Sequence, residues 1–542
     1  MQSDGSLCRR KIYFDGYLPP NKWSVRQTRL LRQSENVRTL IFLDPYGVAK
    51  SPEDAFSVMR PGMKITPFTG RQPGDDLPKP PFLVPAVIEA LRSYREWAPL
   101  VQVVPGEADT FCAQDVRRNG GIVLTSDSDL LIQDLGVDGR VSFFWEVARQ
   151  DSPAAPGILA STYSFHGIND ELGVKDVGGL PRVVFEQISG GGLGFDVAVK
   201  RAKEGAADTL ASPEYLKFLK GHQVDDSIPA DDATLAAIST LDPRVSEIVV
   251  QTLTMSEQGL VPDTPSIPAG LTRGPEALSM FLPVMMENRD LKSCWTASAG
   301  IRQMAYSVLQ TLSPHGSDRI IEYRTLDRSS VHTGRRLDIP HEVEAMDECA
   351  RLVAILNSLE KRLPTAATRW LAFAVLQDIE TCADDPRSSL SVTLLSEANA
   401  PPSEQYSWDL IHYTAQIQAT YYSLRIAAQV LDAVEALDRG ALLAPFRALR
   451  AALASLPRIA YWPAVEDMPD RLAAFAAAGT LATVTDVLGI PEIDLAQVGA
   501  LPASVKSKSK PRRGTRRSPH RGRGPRCPSL NPFALLSEAS QD

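Results

Sequence analysis

Short apolar runs broken by turn residues dominate the first 150 positions. Longer stretches with apolar residues three and four apart dominate the rest. In residues 11–14 a brief apolar run ends at Asp15-Gly16 and is followed by Pro19-Pro20, which predicts a strand and a turn. Residues 21–32 carry Lys22, Arg26, Arg29 and Arg32 and predict a basic helix; residues 39–43 read as a strand or buried run. Residues 52–81, rich in Pro, Gly and Asp, read as a loop or lid. Across 82–97, Val84, Val87, Ile88 and Leu91 form a helical stripe. Residues 101–104 predict a strand and Pro105-Gly106 a turn. A helix over 107–118 follows, capped by Asn119-Gly120-Gly121, and then a strand over 122–125 that ends at Ser126-Asp127-Ser128-Asp129. Residues 141–145 predict another strand. Strand, helix, strand, strand in this order predicts a βαβ-containing sheet.

From about residue 163 the pattern changes to short helices and loops, with a glycine turn at 190–194 leading into a helix over 195–203. Residues 225–500 read as mostly helical, most clearly in 346–359, 368–379 and 408–437. Pro457, Pro463 and Pro469 punctuate the next stretch, and an Ala-rich window follows. From 504 the sequence is of low complexity and predicts disorder; it ends near the short apolar segment Asn531-Pro532-Phe533-Ala534-Leu535-Leu536. The organisation expected is an α/β domain over 1–150, a short helical segment with a glycine turn over 151–225, a mostly α-helical region over 226–500 and a disordered basic tail over 501–542.

Composition adds limits. At 542 residues the chain exceeds one ordinary domain, and its 44% hydrophobic and 23% charged content suits globular folding. No apolar run approaches the roughly 20 residues of a membrane-spanning helix, and the first residues lack the apolar stretch of a secretory signal. Six cysteines lie scattered without paired spacing, as do the histidines. The pattern argues against a disulfide framework and against zinc chemistry, and fits a reducing compartment. The net charge of −8 is unevenly spread: residues 506–526 hold ten Lys and Arg and no acid, and removing that +10 leaves −18 elsewhere.

Five carboxylates occupy equivalent places relative to the expected strands. Asp15 lies just past the first, Glu107 and Asp109 follow the strand at 101–104 and open a helix, and Asp127 and Asp129 lie just past the strand at 122–125. Sites in open α/β sheets form outside the carboxyl ends of strands. If these strands are neighbours the carboxylates converge, and like charges that close raise one another's pKa unless cations intervene. Mg²⁺ or Mn²⁺ prefers such hard oxygen donors, and a pair of these ions can act on a phosphodiester. Each signal also has an ordinary explanation. Asp-Gly makes turns, acids in a first helical turn complement the dipole, and Ser-Asp caps helices. Their order on three strand ends is what points to metal.

The stretch Val103-Val104-Pro105-Gly106-Glu107-Ala108-Asp109-Thr110-Phe111-Cys112-Ala113 resembles the internal motif of XPG/flap-endonuclease proteins. Val123-Leu124-Thr125-Ser126-Asp127-Ser128-Asp129-Leu130-Leu131 resembles the motif that follows it. Tyr13-Phe14-Asp15-Gly16-Tyr17-Leu18-Pro19-Pro20-Asn21-Lys22 resembles the family's earlier strand-to-basic-helix segment. The resemblance implies a PIN/flap-endonuclease-like α/β domain and a divalent-metal-dependent, structure-specific nuclease acting on DNA or RNA. It implies Asp15, Glu107, Asp109, Asp127 and Asp129 as metal ligands and catalytic residues, with Mg²⁺ or Mn²⁺ as cofactor. Further on, Cys294-Trp295-Thr296-Ala297-Ser298, Ile301-Arg302-Gln303-Met304-Ala305-Tyr306 and Ile321-Glu322-Tyr323-Arg324 resemble the helical region of asteroid-type proteins, particularly fungal ones. That resemblance implies, as an alternative, a catalytically inactive relative that binds nucleic acid or protein. The family's first strand, which ends in an Asp and leads into a helix, has no counterpart after Met1. The α/β domain is therefore expected to be N-terminally incomplete, as in a truncated gene product, and its sheet to lack a central member. The acid that active members carry before their glycine-rich turn is missing at Ile188-Ser189-Gly190, and Asp196 lies past the glycines.

Nucleic acid is the expected partner. The turn bearing Gly190, Gly192 and Gly194, followed by Lys200, reads either as a phosphate cradle of backbone amides or as a flexible loop before a solvated helix. Lys22, Arg26 and Arg29 read as the lining of a substrate passage or as a solvated face. The basic tail reads as a nucleic-acid-binding segment, a nuclear localisation signal or a solubilising extension; it favours the nucleus over the cytoplasm.

Overall fold

The protein is described by a computed structural model covering residues 10–17, 22–50, 80–150, 157–205, 207–220, 222, 232–257, 278–313, 317–324, 334–401, 403–437 and 442–498. The loop expected over most of 52–81, the turn Pro19-Pro20-Asn21 and the basic tail lie outside these residues.

In chain order the first elements are β1 (Ile12–Asp15), α1 (Trp23–Leu43), β2 (Val48–Ala49), α2 (Leu83–Ser93), β3 (Val101–Val104), α3 (Ala108–Asn119), β4 (Gly121–Thr125), β5 (Gly139–Phe143), β6 (Val147–Gln150) and β7 (Gly157–Ala160). Four helices follow: α4 (Phe165–Glu171), α5 (Gly179–Ser189), α6 (Phe195–Glu204) and α7 (Pro213–Lys220). Next come α8 (Asp232–Ile238), α9 (Pro243–Glu257), β8 (Leu278–Phe281), α10 (Ala299–Leu309), β9 (Arg319–Tyr323) and β10 (Arg335–Asp338). The last are α11 (Glu342–Arg362), α12 (Ala366–Glu380), α13 (Leu390–Ser396), β11 (Gln405–Tyr406), α14 (Trp408–Leu437), α15 (Ala444–Leu453), α16 (Met468–Ala477), α17 (Thr480–Leu488) and α18 (Leu495–Val498).

These elements form two units, one of residues 1–106 with 230–504 and one centred on 107–229. The pair β1–β3 thus belongs with the helical region rather than with the strands that follow it in sequence.

The first unit is built around the 30-residue α14, whose sides are buried nearly all round, as expected of a core helix. A mixed three-stranded sheet packs in the same unit, with β8 parallel and β10 antiparallel to the central β9. This sheet interrupts the expected run of helices. Its strands are four or five residues long and β8 is wholly buried, so it shows neither alternation nor helical spacing. Residues 23–43 form one helix rather than a helix and a strand. Leu30, Ser34, Val37 and Ile41 are its buried positions, spaced four, three and four apart on one helix face; in the run expected to be buried at 39–43 only Ile41 is, and Phe42 and Leu43 are exposed. In α2 the buried residues are Pro85 and Ile88, while Val84 and Val87 are exposed. Strand β1 runs parallel to β3, with Asp15 opposite Val104.

Most residues of 294–298, 301–306 and 321–324 are buried in this unit. Arg302 donates to Glu322 at 2.7 and 3.0 Å, and Arg324 pairs with the same carboxylate at 3.2 Å. The Tyr306 hydroxyl donates to Glu322 at 3.0 Å. Arg302 and Glu322 are fully buried. A second charged knot ties α2 to α14: Arg425 donates bidentately to Asp242 and also to Glu89. No single described helix is long and apolar enough to cross a membrane; the bent pair α16–α17 together has the length and apolar composition of one. Its Leu472, Phe475, Leu481 and Val484 are core residues.

The second unit holds the parallel pair β4–β5, the helix α3, the antiparallel hairpin β6–β7 and helices α4–α7. Its core gathers Ala113 and Val116 of α3, Val123 of β4, Leu130, Leu131 and Leu135 of the following turn, Val141 and Phe143 of β5, and Leu180, Val183 and Val184 of α5.

Candidate metal centre

The second unit places four of the five carboxylates by a simple device. Helix α3 runs into β4 through Gly120 and Gly121, both at positive φ (+68° and +114°), a conformation glycine adopts without strain. The Gly120 N–H closes the helix on the Val116 carbonyl at 2.7 Å. The chain reverses there, and α3 packs beside β4. A 12-residue helix and a five-residue strand both span about 17 Å. The start of the helix and the end of the strand therefore share one end of the unit. Glu107 is the N-cap residue of α3, and Asp109 lies in its first turn, where the helix dipole favours negative charge.

At that same end Asp127 follows β4 in extended conformation and caps a short 3-10 turn, Ser128–Ile132. Its carboxylate accepts the Asp129 N–H at 3.1 Å, and its own N–H donates to the Thr125 hydroxyl at 2.9 Å. Buried Ser128, Leu130, Leu131 and Ile132 anchor the turn. Asp127 is exposed, and Glu107, Asp109 and Asp129 are half-buried. Among the described residues no three His, Cys, Asp or Glu side chains stand close enough together to hold a metal ion. The donors are nonetheless hard oxygens at one water-accessible end. Mg²⁺ characteristically takes only one or two carboxylates and fills its remaining positions with water and substrate, and oxygen donors of this kind match its chemistry.

Asp15 belongs to the other unit. It is exposed at the end of β1, and the Gly16 N–H donates to the Gly106 carbonyl at 3.2 Å. Gly16 is buried, and a Cβ there would stand 2.2 Å from the Val104 carbonyl oxygen; only glycine lets the two chain segments approach this closely.

The basic candidates divide. Lys22, which precedes α1, and Arg29 of α1 are exposed. Arg26 is turned inward, ion-paired with Glu247 and with its guanidinium 4.2 Å from the Phe281 ring. Gly190 ends α5, and Gly194 precedes α6. The N–H groups of Gly191, Gly192 and Leu193 donate back to Ile188 and Gln187 carbonyls, so those amides close α5 rather than face a ligand. Lys200 is exposed, 4.0 Å from Glu204 on the same helix.

Residues 79–337 match the family model described as XPG domain containing. The match supports an XPG/PIN-like relationship. The XPG-like region contains residues 107–229 of the second unit, with its four carboxylates, and runs on into the first; β1 and Asp15 precede it. No curated protein and no solved structure matches the chain.

One feature of this end of the XPG-like region escaped the sequence reading. The strand expected over 141–145 stops at Phe143, and Phe144 and Trp145 enter a 3-10 turn with both rings exposed. A continuous aromatic run reads as a buried strand, and only the early end of β5 reveals them.

Proposed function

We propose that the chain is a divalent-metal-dependent nuclease-like protein acting on DNA or RNA phosphodiesters. The carrying observation is the placement of Glu107, Asp109, Asp127 and Asp129 at one end of the α3–β4 pair within the XPG-like region. One or two of Glu107, Asp109, Asp127 and Asp129 would hold Mg²⁺ or Mn²⁺, with water and substrate filling the remaining positions. Such an ion, when bound, neutralises phosphodiester charge and acidifies water. The carboxylates themselves would position the ion. The N-cap place of Glu107 and the Thr125–Asp127 hydrogen bond hold the side chains on short, anchored backbone.

A second reading is a catalytically inactive asteroid-type relative that binds nucleic acid or protein. It draws on the Asp127 carboxylate being engaged by the Asp129 N–H and on the absence of a three-carboxylate group among the described residues.

Calorimetric Mn²⁺ titration separates the two when joined to cleavage of labelled 5′-flap, hairpin and single-stranded substrates. The nuclease reading expects metal binding and metal-dependent cutting, both lost in Asp127→Asn. Metal binding without cutting selects the inactive relative. Well-folded protein that binds no metal rejects the metal centre.

A further inference from the structure

Strand register determines what stands beside the acidic turn. Thr125 of β4 pairs with Phe143 of β5, and the strands run parallel. The segments that follow them therefore leave the same end of the sheet: Ser126–Asp129 after β4, and Phe144 and Trp145 after β5. Paired strands lie about 4.8 Å apart, so the aromatic pair and the acidic turn set out from adjacent strand ends.

Phe144 is 58% and Trp145 61% exposed, unusual for two large rings in succession. Trp145 is nevertheless fixed. One face of its indole lies on Phe143, with centroids 4.6 Å apart and planes 6° from parallel. Phe143 is itself buried and meets Tyr163 at 5.8 Å. Tyr163 is held by paired backbone hydrogen bonds with Val141 and by its hydroxyl, which donates to Glu146 at 2.7 Å. The indole is thus backed on one side by a rigid stack and open on the other.

We propose that Trp145, with Phe144 beside it, is a stacking platform for an unpaired nucleobase of the strand whose phosphate lies at the acidic turn. The proposal rests on the metal-centre reading of the same end. Every base offers a π face, so such a platform accepts any base but requires it to be unstacked. The expected ligand is therefore single-stranded or flapped nucleic acid, bound with little sequence preference. Ile158 and Leu159 of the neighbouring hairpin are also exposed. They lie opposite Arg149 and Ala148 of β6, further along the chain from the end of β5 than the aromatic turn.

The test is fluorescence anisotropy of labelled single-stranded oligonucleotides and a blunt duplex, with Ca²⁺ replacing Mg²⁺ to prevent cutting. Trp145→Ala is expected to weaken single-strand binding by about tenfold and to leave duplex binding and Mn²⁺ titration unchanged; Trp145→Phe should recover most of the loss. Unaltered single-strand affinity in Trp145→Ala overturns the platform, and leaves the metal centre standing if Asp127→Asn still abolishes Mn²⁺ binding. Absence of oligonucleotide binding by the unaltered chain overturns both the platform and the nucleic-acid substrate.

Discussion

Replacing Glu322 with Gln tests how the first unit is held together. Glu322 is fully buried and serves two buried guanidinium groups, Arg302 at 2.7 Å and Arg324 at 3.2 Å, while accepting the Tyr306 hydroxyl. These charges hold its carboxyl below the usual carboxylate range against the opposing effect of burial. Glutamine keeps the volume and part of the hydrogen bonding but removes the charge, leaving two cations in a low-dielectric interior. Breaking a buried pair this way costs about 3–5 kcal/mol, far above the roughly 0–1 kcal/mol of an exposed pair. In urea, with the unfolding midpoint followed by far-UV circular dichroism, the loss corresponds to a fall of roughly 1–2 M. Arg302→Met alone should destabilise too, and the double variant by less than the two single losses together, because the partners are coupled. A Glu322→Gln loss below about 1 kcal/mol, or strict additivity in the cycle, would refute the view that this network organises the unit.

Two further outcomes are expected. Burial holds the His412 imidazole near a pKa of about 4, against an opposing effect of Asp409, and its Nδ1 accepts the Asn288 N–H at 3.1 Å. The unfolded chain takes up a proton below about pH 6.5 and the folded chain does not. Stability is therefore full above that pH and falls by about 3 kcal/mol towards pH 4; urea titrations across this interval should show a flatter profile for His412→Gln. Gly16→Ala drives a methyl group into the Val104 carbonyl and the Ser246 side chain, and a loss of about 1–3 kcal/mol is expected in the same assay; an unchanged midpoint would mean that β1 yields freely.

The elements most visible in the sequence were those whose signal is local. Helix α14 covers the residues where apolar spacing placed it, and the two glycines after Asn119 end α3 because their positive φ is a property of glycine itself. What depended on distant partners could not be seen. Arg26 reads as one cation of a basic face until Glu247 and Phe281, more than 220 residues away, draw it inward. Val84 and Val87 fit a helical stripe as well as Ile88 does, and only the packing of the unit decides which face is covered. At the candidate site, the order of acids on strand ends was readable. The Thr125–Asp127 hydrogen bond and the emergence of Trp145 were not, because both follow from where a strand stops.

The route of the chain through its two units has a consequence for biosynthesis. The described residues of the second unit all lie between 107 and 222 of the translated sequence, whereas the first unit is assembled from segments on either side of them. A nascent chain leaves the ribosome from its N-terminus at about 5–20 residues per second. The β4–β5 unit can close within seconds of its synthesis. Helix α1 must wait for the Trp408 indole that donates to the Asp44 carbonyl at its end, 364 residues later; α2 waits for Arg425, 336 residues beyond Glu89. That interval is on the order of tens of seconds. Until then Ile88, Val37 and Ile41, buried in the finished protein, are unshielded apolar surface, so the earliest-made part of the chain is the part most dependent on chaperones while it is translated.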